Sequence, residues 1–205
     1  MATEYPDDTV GWFDIYHQAY LLNLANAIQN SDVHSRMEQL EVIRALYQRD
    51  PLTGLYNRRG FDKLIRDRID YARKTGENFG LVSIDLDHLK TINDTFGHID
   101  GDLAIKKAAE ALQSVMLDRE FCSRIGGDEF AAVINSGEPN RIEEFKAQIK
   151  NALDEASTHI VRFKLEASIG ICNFNEEQAA TLSKCVEIAD RRMYEDKRAR
   201  KNCRK

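Results

Sequence analysis

What this 205-residue chain lacks narrows its chemistry first. Its four cysteines, Cys122, Cys172, Cys185 and Cys203, form no CxxC pair. Together with five scattered histidines they offer no zinc spacing, and they fit reduced thiols in a cytoplasmic protein better than a disulfide framework. No apolar run approaches the ~20 residues needed to cross a bilayer. The acidic N-terminus does not resemble a secretory leader. Internal repeats and low-complexity tracts are absent. A net charge of -5 gives no reason to expect a nucleic-acid partner. The charge is uneven, however: Arg191, Arg192, Lys197, Arg198, Arg200, Lys201, Arg204 and Lys205 crowd the C-terminus against Glu195 and Asp196 alone. Most of these cations suit a solvated helix end, and one or two could serve a phosphate.

What is present is 42% hydrophobic residues, enough for one ordinary domain plus an extension. Residues 1–49 read as an N-terminal helical segment. Trp12, Phe13, Tyr16, Tyr20, Leu24 and Ile28 recur at helical spacing, Asn30-Ser31-Asp32 interrupts, and Met37, Leu40, Ile43 and Tyr47 continue a narrower stripe. Such a segment either folds back on its own domain or pairs with a second copy. Asp50 to Asn57 supplies the boundary through Pro51 and Gly54, and residues 50–205 form the main domain. A helix is expected from about Arg59 to Lys74, with Phe61, Leu64, Ile65, Ile69 and Tyr71 largely on one side. A buried strand, Phe79 to Asp85, follows. A linking segment, Leu89 to Asp102, leads to a helix over Leu103–Leu117. Strands over Phe121–Ile125 and Phe130–Ile134 form a hairpin. A helix over Ile142–Ala156, a strand-rich stretch Val161–Phe174 and a helix over Leu182–Lys197 complete the domain. This order predicts a ferredoxin-like α/β (α+β) fold, an antiparallel sheet flanked by helices.

Two acidic clusters carry the chemistry. Arg124-Ile125-Gly126-Gly127-Asp128-Glu129-Phe130 places two carboxylates after a two-glycine turn that few other residues could make. Asp85-Leu86-Asp87 ends the first strand. In the expected topology the first and third strands are antiparallel neighbours, so Asp85 and Asp128 should converge. Carboxylates this close repel unless a cation or proton lies between them. A hard cation such as Mg²⁺ accepts few carboxylates and binds substrate phosphates, and the Leu86 carbonyl could add a ligand. EF-hand spacing is not met. Asn93, Asp94 and Asp102 are side chains that could cap turns or hydrogen-bond a purine. A carboxylate such as Asp102 can accept from the N1–H and exocyclic amine of guanine, a donor pair that adenine lacks.

From about Asp50 to Asn202 the chain resembles the GGDEF-domain diguanylate cyclases, the nucleotide-cyclase palm architecture. The likeness rests on Asp50-Pro-Leu-Thr-Gly-Leu-Tyr-Asn-Arg-Arg59, Ile84-Asp-Leu-Asp-His-Leu-Lys-Thr-Ile-Asn-Asp94, Phe96-Gly-His-Ile-Asp-Gly-Asp102, Arg124-Ile-Gly-Gly-Asp-Glu-Phe130 and Ala167-Ser-Ile-Gly170. It implies condensation of two GTP into cyclic di-GMP with release of two pyrophosphates, by a homodimer holding one GTP per protomer. It implies Mg²⁺, with Mn²⁺ as the alternative, on Asp85, the Leu86 carbonyl and Asp128. Asn93 and Asp102 would read guanine, with His98 close to the nucleotide. Lys90 would offset charge at the transferring phosphate, and Asp128 or Glu129 would assist loss of the 3'-proton. Gly126 and Gly127 would admit the α-phosphate, and Lys197 and Lys201 would face the β- and γ-phosphates. An upstream sensor could act through the N-terminal helices.

Three departures stand out. Leu117-Asp118-Arg119-Glu120 replaces the family's product-inhibition motif, Arg-x-x-Asp. Lys197-Arg198-Ala199-Arg200-Lys201-Asn202 replaces Lys-x-x-Gly-Arg-Asn, which trades a bidentate fork for an ammonium. Leu89 stands where Phe is common. A catalytically silent GTP-binding module and a mainly dimerising, signalling segment are the competing expectations.

Overall fold

The computed structural model describes residues 33–137, 140–174 and 181–202, so the stripe expected over Trp12 to Ile28 lies outside the described residues. The chain divides into two units, Met1–Tyr47 and Gln48–Lys205. In the first, helix α1 (Val33–Gln48) exposes Met37, Leu40 and Tyr47 from the stripe read in the sequence.

The second unit opens with the Asp50 turn. The Asp50 carboxylate accepts from the Thr53 N–H and hydroxyl, and Gly54 takes a left-handed φ of 72°. Helix α2 (Arg58–Thr75) starts where the Asn57 side chain accepts from the Gly60 N–H, and stops at the left-handed Gly76. Phe61, Ile65, Ile69 and Ala72 are buried. Tyr71, expected on that face, is largely out of it, whereas Arg68 is buried. The Arg68 guanidinium reaches the Asn78 carbonyl, Glu77 and Asn135.

Four strands follow: β1 (Phe79–Leu86), β2 (Phe121–Arg124), β3 (Glu129–Asn135) and β4 (Ala167–Asn173). They form one antiparallel sheet in the order β2-β3-β1-β4. Period-two alternation splits the core into two layers. Val82, Ile84, Leu86, Phe130, Ala132 and Ile169 pack with helices α4 (His98–Ser114) and α5 (Arg141–Thr158). Leu81, Ala131, Val133 and Cys172 pack with α2 and helix α6 (Leu182–Asn202). This is the ferredoxin-like arrangement expected.

Several boundaries differ from those expected. The segment read as a link folds into helix α3 (Leu89–Phe96), and α4 then begins at His98 rather than Leu103. Leu89 and Ile92 are buried, which anchors the extra turns, and Gly97 alone breaks the axis with φ 89° and ψ 166°. Leu117 falls beyond the end of α4 and is exposed. Residues 161–166 form no strand, and α6 runs on to Asn202.

Candidate active site

The sheet register brings the two acidic clusters together. Asp85 on β1 lies opposite Glu129 on β3, and the Leu86 N–H donates to the Asp128 carbonyl at 2.9 Å. Asp85, Leu86 and Asp128 therefore share one end of the sheet, as their strand positions predict. Asp85 has the parity of Leu81 and Ser83, so it points to the α6 side. There the Lys197 amine donates to Asp85 Oδ1 at 2.6 Å. Partial burial works against the charged amine. The hydrogen bond from Asp85 and the charges of Asp85, Asp87 and Asp128 outweigh it, and they hold the Lys197 pKa above its ordinary value. Asp85 is thus paired with a cation in this structure, the Lys197 ammonium, and the charges of Asp87 and Asp128 favour that cation as well.

Asp87, noted in the sequence only as part of its cluster, is 6% exposed. Its carboxylate accepts from the Ser168 hydroxyl at 2.9 and 3.1 Å. Burial pushes its pKa up, against the Ser168 hydrogen bond and the charges of Lys197 and Arg200. Ser168 belongs to the Ala167–Gly170 motif, whose role spacing alone did not reveal. Gly170 has a similar hidden purpose. A Cβ there would run into the Ala189 carbonyl and the Met193 nitrogen, so only glycine lets α6 lie this close to β4. The end of α6 is fastened further by Asp196, which accepts from the Ile169 N–H and from Arg200.

The signature turn is held by Arg124. Its guanidinium donates to the Gly126 and Gly127 carbonyls and to both oxygens of Asp50, at 3.0 to 3.3 Å. Neither Arg124 nor Asp50 was assigned a role from the sequence, although each lies in a quoted motif. The expectation that this turn needs glycine backbone is corrected: neither Gly126 nor Gly127 has a positive φ. A Cβ on Gly127 would meet nothing, and one on Gly126 would approach the Glu129 carboxylate at 3.1 Å. The space beside Gly127 is therefore open to a ligand, while Glu129 leans over Gly126.

The purine-reading candidates gather at the α3–α4 junction. Asn93 is half-buried, and His98 and Asp102 are exposed. The Asn93 carbonyl accepts from the Gly97 N–H at 2.9 Å. The Asn93 carboxamide lies where a Cβ on Gly101 would stand. Lys90 is exposed in the first turn of α3, one turn or ~5 Å of helix before Asn93. The link from the acidic cluster into this helix passes through His88, a non-glycine residue with φ 65°. Left-handed backbone of that kind costs about 1 kcal/mol or more and clusters at functional sites. Lys201, one turn beyond Lys197, is exposed. Of the expected phosphate pair, only Lys201 faces solvent, because Lys197 is engaged by Asp85.

The donor set suits a hard divalent ion that shares its shell with substrate. Among the described residues no three Asp, Glu, His or Cys side chains cluster closely enough to enclose a metal. Two carboxylates and a carbonyl are what Mg²⁺ takes when phosphates and water complete its octahedron. The lysine ammonium already drawn to that spot is the observation that supports the fit.

Comparison with known proteins agrees with this geometry. Residues 47–203 match the family model described as diguanylate cyclase, GGDEF domain. The probable diguanylate cyclase DgcC of Escherichia coli is 34% identical over 165 residues, covering 78% of this chain and 43% of that protein. Diguanylate cyclase DosC of Escherichia coli is 29% identical over 89% of this chain and 40% of its own length. The chain thus spans less than half of these curated relatives. Among solved structures, the coiled coil and GGDEF domain of DgcB from Caulobacter crescentus, in complex with c-di-GMP, superposes with a TM-score of 0.72 at 26% identity. That match covers 87% of this chain and 95% of the other. SiaD from Pseudomonas aeruginosa, in complex with its activator SiaC, gives 0.68 at 27% identity, over 94% and 75% of the two chains. No helix among the described residues is long and apolar enough to cross a membrane. With residues 47–203 matched by that family model, the chain belongs to the GGDEF-domain family of diguanylate cyclases.

Proposed function

We propose that this chain condenses two GTP into cyclic di-GMP with release of two pyrophosphates, one GTP being held by each protomer of a homodimer. The single observation that carries this is the sheet register that sets Asp85 and Leu86 against the Asp128–Glu129 end of β3, beside the open face of Gly127. In each half-reaction the 3'-oxygen of one GTP bonds to the α-phosphorus of the other. The bridging P–O bond to the β-phosphate breaks, and pyrophosphate leaves. Asp128 or Glu129 assists loss of the 3'-proton. Lys90 offsets charge on the transferring phosphate. Asn93 and Asp102 hold the guanine edge beside His98, and Gly126 and Gly127 admit the α-phosphate. Lys201 meets the outer phosphates, and Lys197, paired with Asp85 in this structure, would join it when released from that carboxylate. Asp85, the Leu86 carbonyl and Asp128 would hold Mg²⁺ or Mn²⁺, which when bound neutralises phosphate charge and lowers the barrier to ionising the 3'-hydroxyl.

Residues 1–49 act as the helical input of this reading and 50–205 as its catalytic domain. An upstream sensor would act through the former. The expected location is the cytoplasm, where GTP is found. Purified protein incubated with GTP and Mg²⁺ yields cyclic di-GMP by chromatography, and Asp128→Ala abolishes it while leaving the fold intact. A second reading, a silent GTP-binding module, draws on Lys197 being paired with Asp85. Binding of GTP without product would favour it.

A further inference from the structure

We infer that Lys197 is the resident counter-cation of Asp85: its ammonium holds the carboxylate meant for the divalent ion and must leave before that ion binds, so metal and triphosphate load together. The inference deepens the proposed reading of the same site and rests on it. Lys197 Nζ donates to Asp85 Oδ1 at 2.6 Å, and the two side chains are only 27% and 13% exposed. This is not a loose surface pair of the Lys184–Glu187 kind, whose side chains are 45% and 66% exposed and which water screens. A carboxylate oxygen stands only about 2.0–2.1 Å from the Mg²⁺ it ligates. An ion on Oδ1 would overlap the ammonium. An ion on the other oxygen would lie within one carboxylate's width of a like charge, in a partly buried place where screening is weak. Asp85 therefore serves one cation or the other.

The exchange is a side-chain movement, because the helix that carries Lys197 is pinned. The preceding residue, Asp196, accepts from the Ile169 N–H at 3.0 Å and from Arg200 at 3.1 Å, and Gly170 lets α6 lie directly on β4. The four-carbon stem of Lys197 is free to swing where the backbone is not. Lys201 lies exposed on the same helical face, one turn or ~6 Å further along. Outer phosphates gathered there offer the ammonium more negative charge than one carboxylate does. A triphosphate thus draws Lys197 off Asp85 and opens that oxygen to a divalent ion. By linkage, a divalent ion on Asp85 releases Lys197 to the phosphates. Without nucleotide, the lysine keeps the chain's hold on divalent ions weak.

The test measures Mn²⁺ binding to the full chain without nucleotide, from loss of the free-ion electron paramagnetic resonance signal. Lys197→Met keeps the bulk and removes the charge, and is expected to bind Mn²⁺ at least about tenfold more tightly than wild type. Adding Asp85→Asn to Lys197→Met is expected to undo that gain. Lys201→Met removes the same charge one turn away, from an exposed position, and is expected to change the affinity by less than about threefold. Wild-type affinity in Lys197→Met would overturn the inference, as would a gain that survives Asp85→Asn. An equal gain in Lys201→Met would overturn it too, since a general field and not occupancy would then be at work. A second measurement needs no variant: brief acetylation of the wild type, read by peptide mapping, is expected to modify Lys197 faster as Mn²⁺ is added and to leave Lys201 unchanged. Lys197 labelled no faster at saturating Mn²⁺ would count equally against the inference. Formation of cyclic di-GMP is assayed apart. A chain that makes none ends the cyclase reading, while the affinity ratio between wild type and Lys197→Met still decides the part played by the lysine.

Discussion

A methyl group added at Gly101 would overlap the carboxamide oxygen of Asn93. The side chain proposed to read one edge of guanine is therefore seated by a residue with no polar atom of its own. Gly101→Ala is expected to push Asn93 aside while leaving α4 helical, since alanine is the better helix former. A misplaced base-reading group leaves partners unpaired, so kcat/KM for GTP should fall about tenfold or more and discrimination against ATP should narrow. Steady-state kinetics with both nucleotides checks this; an unchanged ratio would remove Asn93 from base reading. At the opposite extreme stands Cys122, buried on β2. Burial pushes its thiol up to about 12, against a weaker pull from the Arg49 charge. At pH 8 only about 10⁻⁴ of it is thiolate, so native protein should leave Cys122 unlabelled by iodoacetamide while denatured protein labels it, as read by peptide mapping.

At the scale of elements, the turn between α4 and β2 has been given over to structure. Glu120 stands where the family's inhibition motif carries Asp, and its carboxylate is buried against the Arg141 guanidinium. Glu120 also accepts from the Leu117 and Asn135 N–H groups. Arg141 adds Gln148 and the Val115 carbonyl, so the pair ties α4, β3 and α5 into one knot. Removing one partner strands a buried charge, so Arg141→Ala should destabilise the domain by about 3–5 kcal/mol in denaturant melts. The same occupancy predicts that cyclic di-GMP does not bind at residues 117–120, checked by calorimetry with the active site filled by 3'-deoxy-GTP. Much of this layer was legible beforehand. The apolar runs of β1 and β3 and the order of elements made those strands neighbours, and that alone brought Asp85 to Asp128. Helix α3 was not legible, because its polar residues carry only Leu89 and Ile92 as a buried face. The partners of Asp87, Arg124 and Lys197 were hidden for another reason. Ser168, Asp50 and Asp85 lie 81, 74 and 112 residues away, and only the folded sheet supplies those pairings.

At the scale of the whole molecule, the buried residues of both hydrophobic clusters run from Leu55 to Ala189, inside Gln48–Lys205. Among the described residues, none of that core comes from the first unit. Helix α1 instead exposes Met37, Leu40, Val42 and Tyr47, side chains suited to a partner helix. Removing residues 1–47 should therefore leave the melting temperature of the remaining domain within a few degrees of its transition in the full chain, since the described core lies within Gln48–Lys205. Turnover should respond differently. If α1 raises the local concentration of facing half-sites, its loss turns a tethered encounter into a free one, and effective concentrations near the millimolar range disappear. The truncated protein is then expected to make cyclic di-GMP much more slowly at micromolar concentration. Its specific activity should climb with protein concentration until it approaches that of the full chain. A dilution series of both proteins, read as specific activity against concentration, decides the matter. Two superimposable curves would assign α1 no part in assembly, and a truncated domain that stayed slow at every concentration would mean that α1 acts on the site by some route other than proximity.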